Sequence, residues 1–545
     1  MRFSFPYPRL VILLLSIVFF LPFLGSTHLF DWDEINFAEC AREMLVTGDY
    51  STVTINYQPF WEKPPLFIWM QALSMKIFGV TEFAARFPNV IAGILTLFVL
   101  FTAGKQLRNE RLAWWWVILY GGSLLPHLYF KSGIIDPWFK LFIFIAFYRF
   151  YLGMESIQDK KHLKHFALAG LFLGLAVMTK GPVALIIAGG SFGIFWMLNR
   201  FSKIIDFKGI LVLLFFIALS GGIWFLLLVM NGNGHIIREF IVYQIRLFST
   251  QDAGHGGPFY YHFIILLIGC FPASVPAIHG LFTLKGEGAG FRMWMKVMFW
   301  VTLILFSIVK TKIPHYSSLC YFPLTYLAAD SLYAMSNGFA YRWKKWMNFL
   351  LIFIGGILSL ALIAIPFVMM KKDVLFTSET VKDPFALGNL QATVSWSWMD
   401  ALPGIVFFIM LIVALVLIAK GELAKGFVSL SLGLCITLLG ASIHILPKVE
   451  AYSQRAAIEY FESLQEKDVY VHTLGYKSYA HLFYSKTLPH SNPDHYTEHW
   501  LAREAIDKPA YFICKIQTKQ TYLEAYPLLE VIGEKNGFVF LRREP

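Results

Sequence analysis

The stretch LPGIVFFIMLIVALVLIA, residues 402–419, decides the fold class of this chain. It contains no charged residue, and about 20 apolar residues are what a helix needs to cross the hydrocarbon core of a bilayer. Similar apolar runs recur along most of the sequence. They predict a polytopic α-helical membrane protein.

The composition supports this fold class. Of the 545 residues, 57% are hydrophobic and 15% are charged, against about 45–50% and about 25% in ordinary globular domains. The 53 Phe, 25 Tyr and 16 Trp suit lipid-facing surfaces and interfacial belts. A disordered chain, a fibrous repeat and a nucleic-acid-binding protein are excluded as the main identity. The five cysteines are scattered and have no metal-binding spacing.

A window of about 19 residues locates the candidate spans. There are thirteen of them. They lie near 10–27, 87–104, 112–129, 138–153, 166–182, 183–199, 210–230, 259–280, 294–310, 316–336, 347–370, 400–419 and 426–446. Residues 1–446 are therefore predicted to form the transmembrane domain.

Most of the residues that give the net charge of +11 lie in loops on one side of the predicted membrane, so the charge indicates topology. Every second connection between spans is basic, for example 105–111, 160–164 and 342–345. Basic loops face the cytoplasm, so these loops and the N-terminus are predicted to be cytoplasmic. Thirteen spans then place the C-terminus on the outer side.

The outward connections include three long loops, at about 28–86, 231–258 and 371–399. After the last span, residues 447–545 are predicted to form a small outward-facing α/β domain. Its predicted strands and helices lie at 468–474, 510–516, 537–543, 451–466 and 476–485.

The first outward loop begins with several acidic residues. Asp33 and Glu34 open an amphipathic stretch, and Gly48 is a good helix stop. We expect a helix in the interface, with Glu39, Arg42 and Glu43 facing water. Asp33 and Glu34 would then either form a site or only cap this helix.

Other polar residues gather on the same side of the predicted membrane. Glu62 and Lys63 precede two prolines, and Asp136 precedes Pro137. The alternatives are a snorkelling lysine for Lys63 and a helix cap for Asp136. Further outward candidates for anion or metal contact are Lys180, Lys312 and His255, whose alternatives are snorkelling lysines and a loop hydrogen bond.

The ordered motifs resemble those of the ArnT-like bacterial glycosyltransferases, the aminoarabinose transferases of lipid A and their relatives. That family lies in the protein O-mannosyltransferase-like superfamily with the GT-C fold. The motifs are Asp33-Glu34 through Leu45, Phe60-Trp61-Glu62-Lys63-Pro64-Pro65, Asp136-Pro137, Thr179-Lys180-Gly181-Pro182, Gly254-His255-Gly256-Gly257-Pro258 and Lys310-Thr311-Lys312-Ile313-Pro314-His315-Tyr316.

The resemblance implies an enzyme of the bacterial inner membrane that moves a sugar from a polyprenyl-phosphate carrier to an acceptor at the periplasmic face. The acceptor would be lipid A, a glycan or a protein, and no nucleotide would bind. The implied roles are as follows: catalytic, Asp33, Asp136 and Glu62; substrate-binding, Lys63, Tyr316, Lys312, Lys180, Glu34 and Arg42; metal-binding, Glu62 and His255.

The implied chemistry is physically coherent. Cleavage of a glycosyl phosphate produces a phosphate leaving group and a cation-like sugar, which call for cations and a carboxylate respectively. A hydroxyl acceptor would use Asp33 as general base, whereas a phosphate acceptor needs none. A divalent metal ion at Glu62 and His255 is an optional part of this prediction. The alternative is a transporter or flippase of a lipid or lipid-linked sugar, although no inverted repeat is evident.

Overall fold

The computed structural model describes residues 6–159, 161–249, 256–286, 288–337, 341–492, 494–495 and 497–545, with the backbone alone at 247–249. The chain is mostly helical. The helices of the first half are α1 (Pro8–Phe20), α2 (Asp33–Thr47), α3 (Leu66–Phe78), α4 (Glu82–Leu107), α5 (Glu110–Gly121), α6 (Leu124–Tyr129), α7 (Asp136–Glu155), α8 (His162–Lys180), α9 (Val183–Leu198), α10 (Phe207–Gly221), α11 (Ile223–Met230) and α12 (His235–Ser249).

The second half continues the helical bundle and ends in a mixed α/β region. Its helices are α13 (Tyr261–Gly269), α14 (Ser274–Phe282), α15 (Ala289–Ile308), α16 (Tyr321–Ser336), α17 (Lys345–Met370), α18 (Lys372–Leu375), α19 (Pro384–Leu390), α20 (Leu402–Ala419), α21 (Leu423–His444), α22 (Leu446–Ala451), α23 (Arg455–Glu462), α24 (Ala480–Ser485), α25 (Glu498–Arg503) and α26 (Lys519–Ala525). Three short 3₁₀ turns lie at Pro314–Cys320, Trp398–Ala401 and Ile516–Thr518.

Long apolar helices confirm a polytopic membrane protein. Across the described residues, six helices are long and apolar enough to cross a membrane, or up to eight if each of two bent pairs is one span. The finer count of thirteen spans stays a prediction.

Two of the predicted spans are sharply bent pairs of helices. The stretch 259–280 is divided into α13 and α14, which meet at 119°, and 210–230 is divided into α10 and α11 at 48°. Pro272 lies in the first break and has no backbone N–H with which to continue a helix. Mean hydropathy cannot detect such a break, because the apolar run itself is uninterrupted.

The β-structure lies in the first loop and near the C-terminus. The hairpin β1 (Thr54–Ile55) and β2 (Gln58–Pro59) follows α2. A four-stranded sheet has the order β3-β4-β6-β5, with β3 parallel to β4 and the other pairs antiparallel. Its strands are β3 (Tyr470–Thr473), β4 (Ala510–Lys515), β5 (Glu530–Lys535) and β6 (Phe538–Arg543). The three predicted strands are confirmed, and β5, whose residues are mostly exposed, is an addition.

The C-terminal region packs against the segment that leads into α2. The backbone N–H of Leu29 donates to the hydroxyl of Tyr484 at 2.7 Å, and the Gln454 side chain donates to the carbonyl of Leu29 at 2.8 Å. The Lys477 ammonium lies 4.8 Å from the ring centroid of Trp32. These contacts fix the backbone immediately before Asp33.

Candidate active site

Helix α2 forms as predicted, but its polar face is buried. Asp33 and Glu34 occupy its first turn, and Gly48 ends it with φ of +73°. Glu39 and Glu43 are 0% exposed and Arg42 is 3% exposed. The prediction that these three side chains face water is wrong, because α3, β1 and α24 pack against the helix.

The buried charges on α2 have their own partners. Arg42 binds both oxygens of Glu39, at 2.7 and 2.6 Å. Glu43 accepts hydrogen bonds from the Thr54 hydroxyl at 2.6 Å and the Tyr57 N–H at 3.0 Å. Burial, with the neighbouring charge of Glu39, raises the pKa of Glu43 to about 8. Arg42, predicted to bind substrate, is therefore committed to Glu39.

Glu34 lies at the cavity edge but is held by Arg86. The guanidinium donates to both carboxylate oxygens, at 2.8 and 3.1 Å, and the Phe30 N–H donates at 2.9 Å. The N–H of Gly133 is a further donor. Burial would raise the pKa of Glu34, but Arg86 and these hydrogen bonds lower it below its ordinary value. This arrangement ties α2 to α4 and to the loop before α7.

A cavity of about 470 Å³ opens beside the start of α2. It brings together six of the residues predicted for the site. These are Asp33, Glu34, Glu62, Lys63, Lys180 and Tyr316. Asp136 lies immediately behind the wall and is 1% exposed.

A histidine connects the two aspartates. Nε2 of His315 lies 3.3 Å from Oδ2 of Asp33 and 3.7 Å from Oδ2 of Asp136. The Asp33 side chain is 29% exposed, whereas that of Asp136 is 2% exposed. Asp33 can therefore meet a substrate directly, and Asp136 can act on it only through its neighbours.

Two lysines supply positive charge around this cluster. Nζ of Lys180 donates to Oδ1 of Asp136 at 2.7 Å and lies 5.0 Å from the ring centroid of Tyr316. Nζ of Lys63 lies 5.5 Å from the ring centroid of Tyr243. Both ammonium groups are placed on aromatic faces at the cavity wall, an arrangement that favours a cation.

Helix α12 covers the Glu62-Lys63 turn. The Tyr243 hydroxyl donates to Oε2 of Glu62 at 2.9 Å, and the Gln244 side chain donates to the Glu62 carbonyl at 3.2 Å. The sequence prediction treated 231–258 as a loop and missed Tyr243. The signal was present: Ile236, Phe240 and Tyr243 are spaced as one face of a helix, and all three are buried.

His315 is the other functional candidate that received no role from the sequence. Its motif resembles the family pattern, but the resemblance implies contacts only for Lys312 and Tyr316. The 3₁₀ turn Pro314–Cys320 places His315 and Tyr316 at the cavity wall. A role for His315 could have been proposed from its position beside Tyr316.

The structure does not bring Lys312 to the cavity. Its Nζ donates to the carbonyls of Phe306, Ser307 and Val309, at 3.1, 2.6 and 2.5 Å. These are orphan carbonyls at the end of α15, which a cation stabilises. The predicted phosphate contact of Lys312 is thus replaced by a helix-capping contact.

Of the two residues predicted to bind a metal ion, the structure describes only Glu62. Glu62 lines the cavity, but His255 lies outside the described residues. Within the described ranges, no group of three or more His, Cys, Asp or Glu could hold a metal ion. A divalent ion at Glu62 and His255 therefore stays a prediction.

The chain is similar in sequence and in fold to several known proteins. The sequence model of the family described as dolichyl-phosphate-mannose-protein mannosyltransferase matches residues 62–225. Over its full length, the chain superposes on ArnT from Cupriavidus metallidurans bound to undecaprenyl phosphate, with a TM-score of 0.76, 18% identity and coverage of 99% of this chain and 98% of that one. The chain has the GT-C fold.

A second solved structure and two curated relatives are also similar to this chain. The oligosaccharyltransferase AglB from Archaeoglobus fulgidus has a TM-score of 0.52 at 10% identity, covering 95% of this chain and 71% of that one. Undecaprenyl phosphate-alpha-4-amino-4-deoxy-L-arabinose arabinosyl transferases from Edwardsiella ictaluri and Yersinia enterocolitica are 30% and 29% identical, over 65% of this chain and 64% of each relative. The match thus spans less than two thirds of those relatives, and it confirms the resemblance to ArnT-like glycosyltransferases.

Proposed function

We propose that this GT-C protein is a membrane glycosyltransferase that moves a sugar from a polyprenyl-phosphate carrier to an acceptor, which is a lipid such as lipid A, a glycan or a protein. The observation that carries the proposal is the cavity lined by Asp33, His315 and Lys180, with Asp136 behind its wall and in contact with Lys180 and His315. This arrangement places an exposed carboxylate and a lysine in one small space. The similar arabinosyl transferases take their sugar from undecaprenyl phosphate.

The lysines suit the leaving group. When the bond between the sugar and the carrier phosphate breaks, negative charge develops on the phosphate oxygens. Preorganised cations at that position stabilise the transition state more than the ground state. Lys63 and Lys180 line the cavity and occupy this role in the proposal, with Tyr316 as a hydroxyl donor beside them.

The exposed carboxylate suits the sugar and its acceptor. Asp33 stabilises the cation-like sugar and accepts a proton when the acceptor is a hydroxyl group. Asp136 is too buried to reach a substrate, so its role is to hold Lys180 and to orient His315. No step of the proposal requires a metal ion, and a divalent ion at Glu62 and His255 would act as an additional contact for the acceptor or the phosphate.

An apolar groove suits the carrier chain. It has a volume of about 530 Å³ and lies between α9 and α15, lined by residues such as Ile194, Val297 and Ile304. Helix α9 begins just after Lys180, and α15 ends just before the segment that carries His315 and Tyr316. In the proposal, a polyprenyl chain whose phosphate lies at Lys180 continues along this groove in contact with lipid.

The proposal also covers location and organisation. Residues 1–446 would be a multi-pass domain of the bacterial inner membrane, with a cytoplasmic N-terminus and the cavity open to the periplasm. Residues 447–545 would be a periplasmic α/β domain. The contacts of Tyr484 and Gln454 with Leu29 support a role for this domain in shaping the entrance to the cavity.

A deletion experiment tests the function. Cells that lack the protein are compared with complemented cells by mass analysis of envelope lipids, glycans and glycoproteins. We expect one species to lose a single sugar while its polyprenyl-phosphate donor accumulates. An unchanged envelope with no accumulated donor would refute the proposal.

A further inference from the structure

Lys140 is a buried lysine that the proposed mechanism does not use. It lies on α7 and is 0% exposed. Nζ has no hydrogen-bond partner among the residues that the structure describes. An ionisable side chain inside a membrane protein is costly without a partner and therefore calls for a functional explanation.

Three aromatic rings surround the ammonium group of Lys140. Its Nζ lies 4.8 Å from the ring centroid of Tyr321, 5.4 Å from that of Phe130 and 5.5 Å from that of Tyr129. Aromatic faces attract a cation most strongly when the site excludes water. The three rings thus form a cage in which cation–π attraction offsets part of the cost of burying a positive charge.

The nearest carboxylate along α7 is the site residue Asp136. Residues four apart lie on the same helix face, so Lys140 lies one turn beyond Asp136. At present Oδ1 of Asp136 binds Lys180 at 2.7 Å. Asp136 therefore has two nearby cations, of which Lys180 lines the cavity and Lys140 does not.

This difference matters when a phosphate enters. In the proposed function, the carrier phosphate attracts Lys180 and competes with Asp136 for it. A buried carboxylate that loses its only cation is strongly destabilised. Without another positive charge, Asp136 would therefore retain Lys180 and weaken the binding of phosphate.

We propose that Lys140 is a second counter-charge of Asp136, which allows Lys180 to transfer from Asp136 to the carrier phosphate. The inference rests on the proposed function and makes Lys140 a positioning residue, because it never touches the substrate. Lys140 stays in the aromatic cage beside Asp136, while the ammonium group of Lys180 moves from Asp136 to the phosphate.

A double-mutant cycle on the full-length purified protein tests this exchange. The probe is a polyprenyl phosphate, and the neutral polyprenol of the same length measures binding of the chain alone. We expect Lys180→Met and Lys140→Met each to weaken phosphate binding roughly tenfold. The double variant should bind no more weakly than Lys180→Met alone. Both substitutions remove the contact between Lys180 and the phosphate, since without Lys140 the side chain of Lys180 stays bound to Asp136.

Three further variants control for loss of charge, for misfolding and for a non-specific effect of removing a lysine. Lys140→Arg keeps the charge and should bind within about threefold of the wild type, and Lys140→Gln replaces Lys140→Met if the latter does not fold. Lys105→Met makes the same change at an exposed ion pair with Glu110 and should have no effect. Wild-type-like binding by a folded Lys140→Met or Lys140→Gln, or multiplicative effects in the double variant, would overturn the inference. A wild-type protein that does not prefer the phosphate over polyprenol would instead refute the proposed function.

Discussion

The cavity wall and the buried face of α2 carry the same residue types in opposite environments. Asp33 is open to the cavity and has His315 beside it, whereas Glu34, the next residue, is bound by Arg86 and two backbone N–H groups. Five residues farther along the helix, Glu39 is bound by Arg42. The comparison shows that an acidic, motif-rich segment combines a reactive carboxylate with structural ones, and that partners and exposure separate them.

The largest expected difference concerns activity at Asp33. Asp33→Asn removes the charge that would stabilise the sugar cation, so we expect transfer to fall by at least about a hundredfold. Folding should be unchanged, because the side chain is partly exposed. The assay uses a donor-lipid fraction extracted from cells that lack the protein. Asp49→Asn, an exposed position in the same loop, is the matched control, and a fully active Asp33→Asn would remove Asp33 from the site.

The same chemical change at Glu34 should affect stability instead. Glu34→Gln leaves Arg86 buried without a counter-charge, which costs about 3–5 kcal/mol of unfolding free energy. Thermal unfolding in detergent and the yield of monodisperse protein measure this loss. If Glu34→Gln is as stable as the wild type but inactive like Asp33→Asn, then Glu34 is a residue of the active site and not a structural one.

A smaller effect is expected at Lys63. Lys63→Ala removes one of two cavity lysines, so kcat/KM for the donor should fall about tenfold to a hundredfold. Lys76→Ala, at an exposed lysine at the end of α3, is the control. Equal kinetics for the two variants would favour the snorkelling interpretation of Lys63.

The last prediction concerns the pH dependence of stability at Glu43. Its pKa is raised from 4.5 to about 8 in the folded protein, so the unfolded chain releases this proton first. The free energy of unfolding should therefore decrease as the pH rises from about 4.5 to about 8, by at most about 1.4 kcal/mol per pH unit. Glu43→Gln should remove this contribution, as measured by unfolding temperatures at pH 5 and pH 8. Parallel pH dependence in both proteins would contradict the assignment.

The sequence predicted what depends on local pattern. Apolar runs gave the membrane fold class, β-branched segments gave β3, β4 and β6, and Gly48 gave the end of α2. Hydropathy could not predict the break between α13 and α14, since both halves are apolar. The exposed strand β5 lacks the apolar alternation that marked the others.

The sequence motifs predicted which residues lie at the site, but not how the packing of distant segments would bury or pair some of them. The motifs that carry Asp33, Lys63 and Lys180 do meet at one cavity. Burial of Arg42 depends on packing by α24, which is more than 400 residues away in sequence. The capping contact of Lys312 depends on how α15 ends. Long-range packing of this kind is not visible in a residue pattern.

One measurement tests the central claim most directly. The purified protein is reconstituted in liposomes with the accumulated donor lipid and an envelope acceptor fraction. We predict that free polyprenyl phosphate and glycosylated acceptor appear in equal amounts, and that neither forms with Asp33→Asn. Movement of the intact donor across the bilayer without cleavage would contradict the account and would indicate a flippase.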